Sequence, residues 1–245
     1  TEFLGRPLDG DIGLRYTYAS ADMEFYQWDN EVGDIVQSEG NNSSAKFLPN
    51  LTLRYHLTDD LITRFAYTQT LRRPEFGQLN SFINLNPDTT NVGYGNANGG
   101  NQDLRPVEST NYDLSLEYYF GEGSSAYATY FYRDIEGFVF DSLRQAQFPN
   151  PETGEMEDYI LSQPGNTSNG TLDGIEVGLV YFLENVPQWL DGFGVQASGT
   201  FLDSEQDIPI FSDDGELTGY TTRSVFGVSD TSYSGVLIYE KEDFS

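Results

Sequence analysis

Cysteine is absent from the 245 residues, which removes disulfides, thiolate metal sites and thiol nucleophiles from consideration. Histidine occurs once. No run of about 18 apolar residues exists, so a transmembrane helix is excluded. A transmembrane barrel is not, because each of its strands needs only about 10 alternating residues. Positive charge is scarce: Lys and Arg total 12 against 39 Asp and Glu, a formal net charge of −27. Such a chain repels phosphate backbones and disfavours polyanionic ligands, so no nucleic-acid partner is expected. The opening Thr1-Glu-Phe-Leu-Gly-Arg6 has neither the basic start nor the apolar core of a signal peptide, and reads as a mature chain or, by preference, an internal piece.

Aromatic residues are plentiful, at 15% with Tyr 17 and Phe 17, while apolar content is a modest 38%. That balance suits strands ending in interfacial girdles better than a thick packed core. Asn111 to Phe120 places Tyr112, Leu114, Leu116, Tyr118 and Phe120 on one face and Asp113, Ser115 and Glu117 on the other. The pattern recurs. Ile12, Leu14, Tyr16 and Tyr18 alternate with polar residues, as do Leu51, Leu53, Tyr55 and Leu57, then Leu61, Phe65 and Tyr67. Ile175, Val177, Leu179 and Tyr181 form another stripe, Val195, Ala197 and Phe201 the next, and Tyr233, Leu237 and Tyr239 the last. Ala126 to Tyr132 pairs with the Asn111 strand through a short turn, but aromatics on both its faces leave its orientation open.

The connections alternate in length. Short polar turns are expected at residues 58–60 and 121–125 and a moderate one at 183–192, against long loops at 19–45, 71–106, 137–171 and 203–230. Long structureless loops are uncommon in compact soluble domains. Outer-membrane barrels have this rhythm, with short periplasmic turns and long extracellular loops. The apolar faces, Tyr112, Leu114, Leu116, Tyr118, Ile175, Val177 and Leu179 among them, are then expected to meet lipid. Acidic residues concentrate in the long segments, from Asp22 to Glu39 and Asp203 to Glu216, whereas residues 80–101 are rich in Asn and Gly.

Enzymatic chemistry finds no foothold. His56 stands beside Arg54 on a polar strand face without a Ser-His-Asp order or zinc spacing. Asp203, Glu205, Asp207, Asp213 and Asp214 offer oxygen ligands but not the EF-hand spacing, so solvated charge is the better reading. Gly121-Glu-Gly-Ser124 lacks the Lys and the following helix of a phosphate loop and is read as a turn. No cofactor is expected.

The ordered segments Leu48 to Asp60, Arg64 to Pro74, Gly99-Gly-Asn-Gln-Asp-Leu-Arg-Pro106, Asn111 to Gly121, Tyr132 to Phe138, Gly170 to Glu176 and Tyr239-Glu-Lys241 resemble the barrel of a TonB-dependent outer-membrane receptor, in the style of the proteobacterial branch associated with carbohydrate uptake. The resemblance covers the chain from about Asp9 onward. It implies an all-β fold, an antiparallel transmembrane segment of a barrel of about 22 strands, lying in the outer membrane of a Gram-negative bacterium. Residues 1–245 are expected to be part of one barrel domain, with the N-terminal plug and closing strands absent. The TonB complex would be reached through that missing N-terminal region, and a scarce small nutrient, first an oligosaccharide, would bind in the outer loops.

Within such a receptor Phe82, Tyr94, Asn96, Asn98 and Asn101 are the candidate ligand residues, since amides hydrogen-bond sugar hydroxyls and aromatic rings stack on sugar faces. Arg72 and Arg73 are weaker candidates, an ion-paired loop anchor being the competing role. A siderophore or cobalamin receptor of the same fold, a soluble carbohydrate-binding β-sandwich and a passive pore stay open.

Overall fold

Each period-two segment becomes a strand, and each strand pairs antiparallel with the next one along the wall. The computed structural model describes residues 2–29, 32–88, 93–212 and 215–240, apart from the side chains of residues 28, 29 and 167. Asp213, Asp214 and Lys241 lie outside the described residues. The elements are β1 (Glu2–Phe3), β2 (Arg6–Asp29), β3 (Asp34–His56), β4 (Leu61–Arg72), a one-turn helix α1 (Phe76–Leu79), β5 (Ile83–Asn86), β6 (Gly95–Gly99), β7 (Val107–Phe120), β8 (Ser124–Pro149), β9 (Met156–Phe182), β10 (Phe193–Phe211), β11 (Leu217–Arg223) and β12 (Thr231–Tyr239).

All twelve strands belong to one sheet, ordered β1-β2-β3-β4-β7-β8-β9-β10, with β11 and β12 side by side in sequence along the far edge of β10. The sheet is open, and among the described residues no second sheet covers its apolar face. The sandwich alternative is thereby set aside. Cross-strand register carries one outward row from Leu53 through Phe65, Leu114, Tyr130 and Ile175 to Phe201. Tyr112, Leu114, Leu116, Tyr118, Ile175, Val177 and Leu179 all lie exposed on this face, and Ile12 is 87% exposed. Each such side chain left in water forgoes roughly 1.5–3 kcal/mol of transfer energy, and a contiguous exposed apolar face of this extent marks a membrane or protein interface.

Aromatic contacts border the band at both ends. Toward the long hairpins, Tyr16 meets Phe47 at 4.9 Å between centroids, and Tyr67 meets Tyr112 at 5.3 Å. Toward the short turns, Phe120 lies between Tyr118 at 5.3 Å and Tyr181 at 6.4 Å, with Phe193 on Tyr239 at 4.7 Å. The eight steps from Tyr112 to Phe120 span about 26 Å at ~3.3 Å per residue, and strand tilt fits them within the ~25 Å apolar band of such barrels.

Register also settles the orientation of β8. Ala126, Ala128 and Tyr130 pair with Leu179, Val177 and Ile175 and share their face. Tyr127 points the other way, its ring laid over Gly178 where a Cβ would collide with it, and its hydroxyl donates to Glu176 at 2.6 Å. That inner face is knitted by charge pairs: Arg64 to Glu117 at 2.6 Å, Arg133 to Asp113 at 2.6 Å and Arg54 to Asp9 at 2.9 Å.

Three of the expected long loops are largely strand. Residues 19–45 continue the β2–β3 ladder to Asp29 opposite Asp34, and residues 137–171 continue β8–β9 to Pro149 opposite Met156. Asp203 and Asp207 lie on β10, whose upper part pairs with β11. The ladder needs only backbone hydrogen bonds, so it persists where both faces are polar and the period-two hydropathy signal fades. At 24, 26 and 27 residues, β2, β8 and β9 would extend about 80–90 Å at ~3.3 Å per residue, far beyond a ~30 Å hydrocarbon core. The acidic residues thus ride mostly on projecting ribbons rather than on coil.

Candidate ligand-binding crown

Between Arg72 and Val107 the chain leaves the wall and builds a crown among the projecting ribbons. Gln78 Oε1 accepts the Glu75 amide at 3.0 Å, closing the turn of α1, and the Asn80 and Gln78 carbonyls accept the Gly100 and Asn101 amides at 2.9 and 2.6 Å. β6 then adds parallel to β9, from Gly95 opposite Tyr159 to Asn98 opposite Ser162, and β5 adds antiparallel to β6. Part of the long loop expected at 71–106 is therefore strand, Ile83–Asn86 and Gly95–Gly99, added to the sheet. Gly95 permits this approach, because a Cβ there would press into the Tyr159 ring.

Alternation divides the extension into two faces. One buries Ala97, Tyr159 and Leu161 against Ile83, Leu85, Ala146 and Phe148. The Tyr159 hydroxyl is buried there without a hydrogen-bond partner, and burial, reinforced by the nearby Glu157 carboxylate, pushes its ionisation above the ordinary tyrosine range. The opposite face exposes four asparagines in two cross-strand pairs, Asn84 with Asn98 and Asn86 with Asn96. Beside them the Tyr94 hydroxyl accepts a hydrogen bond from Gln145 Nε2 at 3.2 Å.

The segment from Gly100 to Pro106 crosses between the ribbons and is fastened to both. From β3, Asn42 Nδ2 donates to the Gln102 and Leu104 carbonyls at 2.6 and 2.8 Å. From β9, Asn166 pairs with both backbone groups of Arg105, and Gln163 Nε2 reaches the Gly100 carbonyl at 2.8 Å. Around this fastener opens a polar cleft of about 910 Å³ whose lining includes Asn41, Asn42, Asn166, Asn169, Glu136 and Asp207. Lys46, also in its lining, is neutralised by Glu108 at 2.6 Å. A second cleft, about 490 Å³ and mainly apolar, lies near the ribbon tips among Tyr26, Ile35, Phe82, Leu85 and Phe148, with Asp34 at its margin.

The residues singled out from sequence are dispersed accordingly. Tyr94, Asn96 and Asn98 share the amide face, and Phe82 lines the apolar cleft. Asn101 is consumed by structure: its Nδ2 donates to the Pro164 carbonyl at 3.0 Å and its Oδ1 accepts the Asp103 amide at 2.9 Å. Arg72 pairs with Glu75 at 3.4 Å, while Arg73 turns away from the crown to the Thr17 hydroxyl. Asn42, Asn84, Asn86, Gln145 and Asn166 were not legible as site residues, because only pairing between distant strands gathers them. Among the described residues no group of three or more His, Asp or Glu is placed to hold a metal ion.

A family model described as TonB dependent receptor-like, beta-barrel, matches residues 2–245. Solved structures of similar fold include the siderophore receptor PirA from Acinetobacter baumannii, 13% identical with a TM-score of 0.51 over 96% of this chain and 40% of that one. A mutant of the ferric enterobactin receptor PfeA from Pseudomonas aeruginosa is 15% identical, with a TM-score of 0.54 over 91% of this chain and 37% of that one. A mutant of the Serratia marcescens hemophore receptor HasR, solved with its hemophore HasA and heme, is 15% identical with a TM-score of 0.52, over 94% and 37% of the two chains. The chain thus spans about 40% or less of the length of these solved relatives. No curated protein matches the sequence.

Proposed function

Because this chain belongs to the TonB-dependent receptor-like β-barrel family, matched along residues 2–245, we propose that it serves as part of a single barrel domain in the outer membrane of a Gram-negative bacterium, importing a scarce nutrient with energy from the TonB complex. Its task is transport, not catalysis. Tyr112, Leu114, Leu116, Tyr118, Ile175, Val177 and Leu179 meet lipid, and the projecting ribbons carry the crown on the extracellular side. The observation that carries this reading is the polarity of the wall: one face exposed and apolar between aromatic borders, the other closed by ion pairs, with three short turns at one end and a built crown at the other.

The cargo is a neutral or cationic polar molecule, with an oligosaccharide as the first choice. The 910 Å³ cleft lies within the usual range of ligand sites; amides supply much of its lining, its Lys46 is paired with Glu108, and Asp103, Glu136 and Asp207 outnumber Arg105, which disfavours anions. A siderophore is the second reading, favoured by the apolar cleft at Tyr26, Phe82 and Phe148 and by the siderophore receptors among the solved relatives. With Asp34 rather than a cation beside that cleft, an anionic catecholate fits poorly.

Deletion of the gene tests the proposal. The expected outcome is lost growth on at least one neutral oligosaccharide as sole carbon source, restored by the native gene and not by one carrying Asn166→Ala with Asn42→Ala. Normal growth on all such sugars together with starvation under iron limitation would transfer the assignment to the siderophore reading. Unimpaired uptake of both classes would overturn the transport proposal itself.

A further inference from the structure

Below the crown, on the inner face of the wall, a separate cleft of about 400 Å³ opens across β2, β3 and the upper end of β4, with Arg15, Thr17, Asn50, Thr68, Thr70 and Arg73 in its lining. Its charge is one-sided. The chain carries 39 acidic residues against 12 basic ones, yet two arginines meet here and no carboxylate is among the described lining residues. Six other basic side chains pair with an acid, Arg54 with Asp9 and Arg64 with Glu117 among them. Arg15 and Arg73 do not. Arg73 donates through Nη2 to the Thr17 hydroxyl, while its Nε is buried without a hydrogen-bond partner. Arg15 makes no hydrogen bond or ion pair among the described residues.

The neutral lining is donor-rich as well. The Thr17 oxygen accepts from Arg73, and the Thr68 and Thr70 oxygens both accept from Nδ2 of the buried Asn111, at 3.2 and 3.4 Å. Each hydroxyl oxygen is thus already an acceptor, which leaves its proton for the cleft. The Asn50 carboxamide lies over Gly13, where a Cβ would collide with it. It forms no hydrogen bond among the described residues and adds its own N–H pair.

Guanidinium, hydroxyl and amide donors around two unbalanced positive charges suit an anion. The crown above limits how much charge that anion carries. The two clefts adjoin where Thr17 of one pairs with Lys46 of the other, and in the upper one Asp103, Glu108, Glu136 and Asp207 outnumber Lys46 and Arg105. A dianion crossing that negative field is opposed twice as strongly as a single charge, whereas a carboxylate is singly charged and matches the planar guanidinium fork.

We propose that Arg15 and Arg73 form an anion site on the inner face of the wall that takes the carboxylate of a solute descending from the crown. The site goes beyond the transport reading, which places the cargo in the crown, and rests on it only for the direction of arrival.

The test is calorimetric titration of the full-length receptor, purified in detergent at low salt and pH 8, with N-acetylalanine. N-acetylalaninamide is the uncharged counterpart and inorganic phosphate the dianion. N-acetylalanine is expected to bind about 10-fold or more tightly than its amide and more tightly than phosphate. Arg15→Gln and Arg73→Gln are each expected to weaken its binding about 10-fold or more. Arg15 supports no contact in the fold, so its variant decides the matter if the other does not fold. Arg54→Gln removes an ion-paired cation from the same face and is expected to change binding by less than about 2-fold. Absence of N-acetylalanine binding, equal binding of acid and amide, tighter binding of phosphate, or undiminished binding by Arg15→Gln would overturn the proposal. So would an equal loss in Arg54→Gln, which would make the effect one of overall charge. Growth of the deletion strain is a separate measurement: carboxylate binding without any uptake defect would leave the site standing and remove the transport reading, and uptake without carboxylate binding would do the reverse.

Discussion

The side chain of Asn166 closes on both backbone groups of Arg105, its Oδ1 accepting the amide at 2.7 Å and its Nδ2 donating to the carbonyl at 2.9 Å. A carboxamide thus stands in for a strand. The same Nδ2 also donates to the Gly137 carbonyl at 2.8 Å, beside the bulge where the β8–β9 register shifts, so one residue pins the crown segment to the point where the wall becomes a projecting ribbon.

Replacing Asn166 by Ala removes all three bonds and is expected to cost about 1–3 kcal/mol locally. Hydrogen exchange at the Arg105 amide, which donates to Asn166 Oδ1, should accelerate about 10-fold or more, while amides along Leu114 to Tyr118 stay protected. Acceleration spread evenly over the wall would show that Asn166 is no local fastener.

The outward row predicts its own sensitivity to charge. Leu114→Arg is expected to destabilise the full receptor in lipid vesicles by about 2–4 kcal/mol, with a smaller cost for Tyr118→Arg nearer the turn end. Guanidinium titration followed by the folded-barrel gel shift measures both. Equal and negligible costs at the two positions would remove lipid from that face.

Gly178 lies beneath the Tyr127 ring. Gly178→Val should displace that ring, break its bond to Glu176 and cost about 1–3 kcal/mol. Tyr127→Phe keeps the ring over the glycine and loses only the hydroxyl contact, about 1 kcal/mol. The same unfolding titration should rank the two in that order, and the reverse order would place the energy in the hydrogen bond rather than in the packing.

Tyr159 predicts a pH dependence confined to the crown. Its folded-state ionisation is raised, so the neutral phenol is the form the fold favours. The associated stability is fully present below the ordinary tyrosine value of about 10 and is lost as pH rises from there through the raised value. Relative to the intrinsic base catalysis of exchange, β6 amides should lose protection as pH rises above about 10, and Tyr159→Phe should abolish that loss. Because the hydroxyl has no partner, the substitution should leave stability at neutral pH unchanged or slightly raised. A substantial loss at pH 7 would show the hydroxyl to be hydrogen-bonded.

Strand identity was legible wherever one face had to be apolar. Tyr112 to Phe120 could be read residue by residue because keeping one face apolar opposite a polar one imposes a strict two-residue period. The same rule is silent above the band. Residues 19–29 and 34–45 pair along their whole length, yet the crown covers only isolated positions such as Phe25, so no continuous apolar face is needed and the ladder leaves no two-residue period in hydropathy. Among the candidate ligand residues, Asn96, Asn98 and Asn101 look alike in sequence. Strand parity sends the first two outward, whereas a turn and the Pro164 carbonyl capture the third.

By itself the sequence determined the two-faced strands, their order and the acidity of the projecting parts, since period, turn residues and charge are local quantities. Only the tertiary structure decided the facing of β8, the continuation of the ribbons beyond the band, and the gathering of Asn84, Asn86, Asn96 and Asn98 into one face. Those depend on register between strands distant in the chain, which backbone hydrogen bonding sets without regard to side-chain type, so no local pattern encodes it.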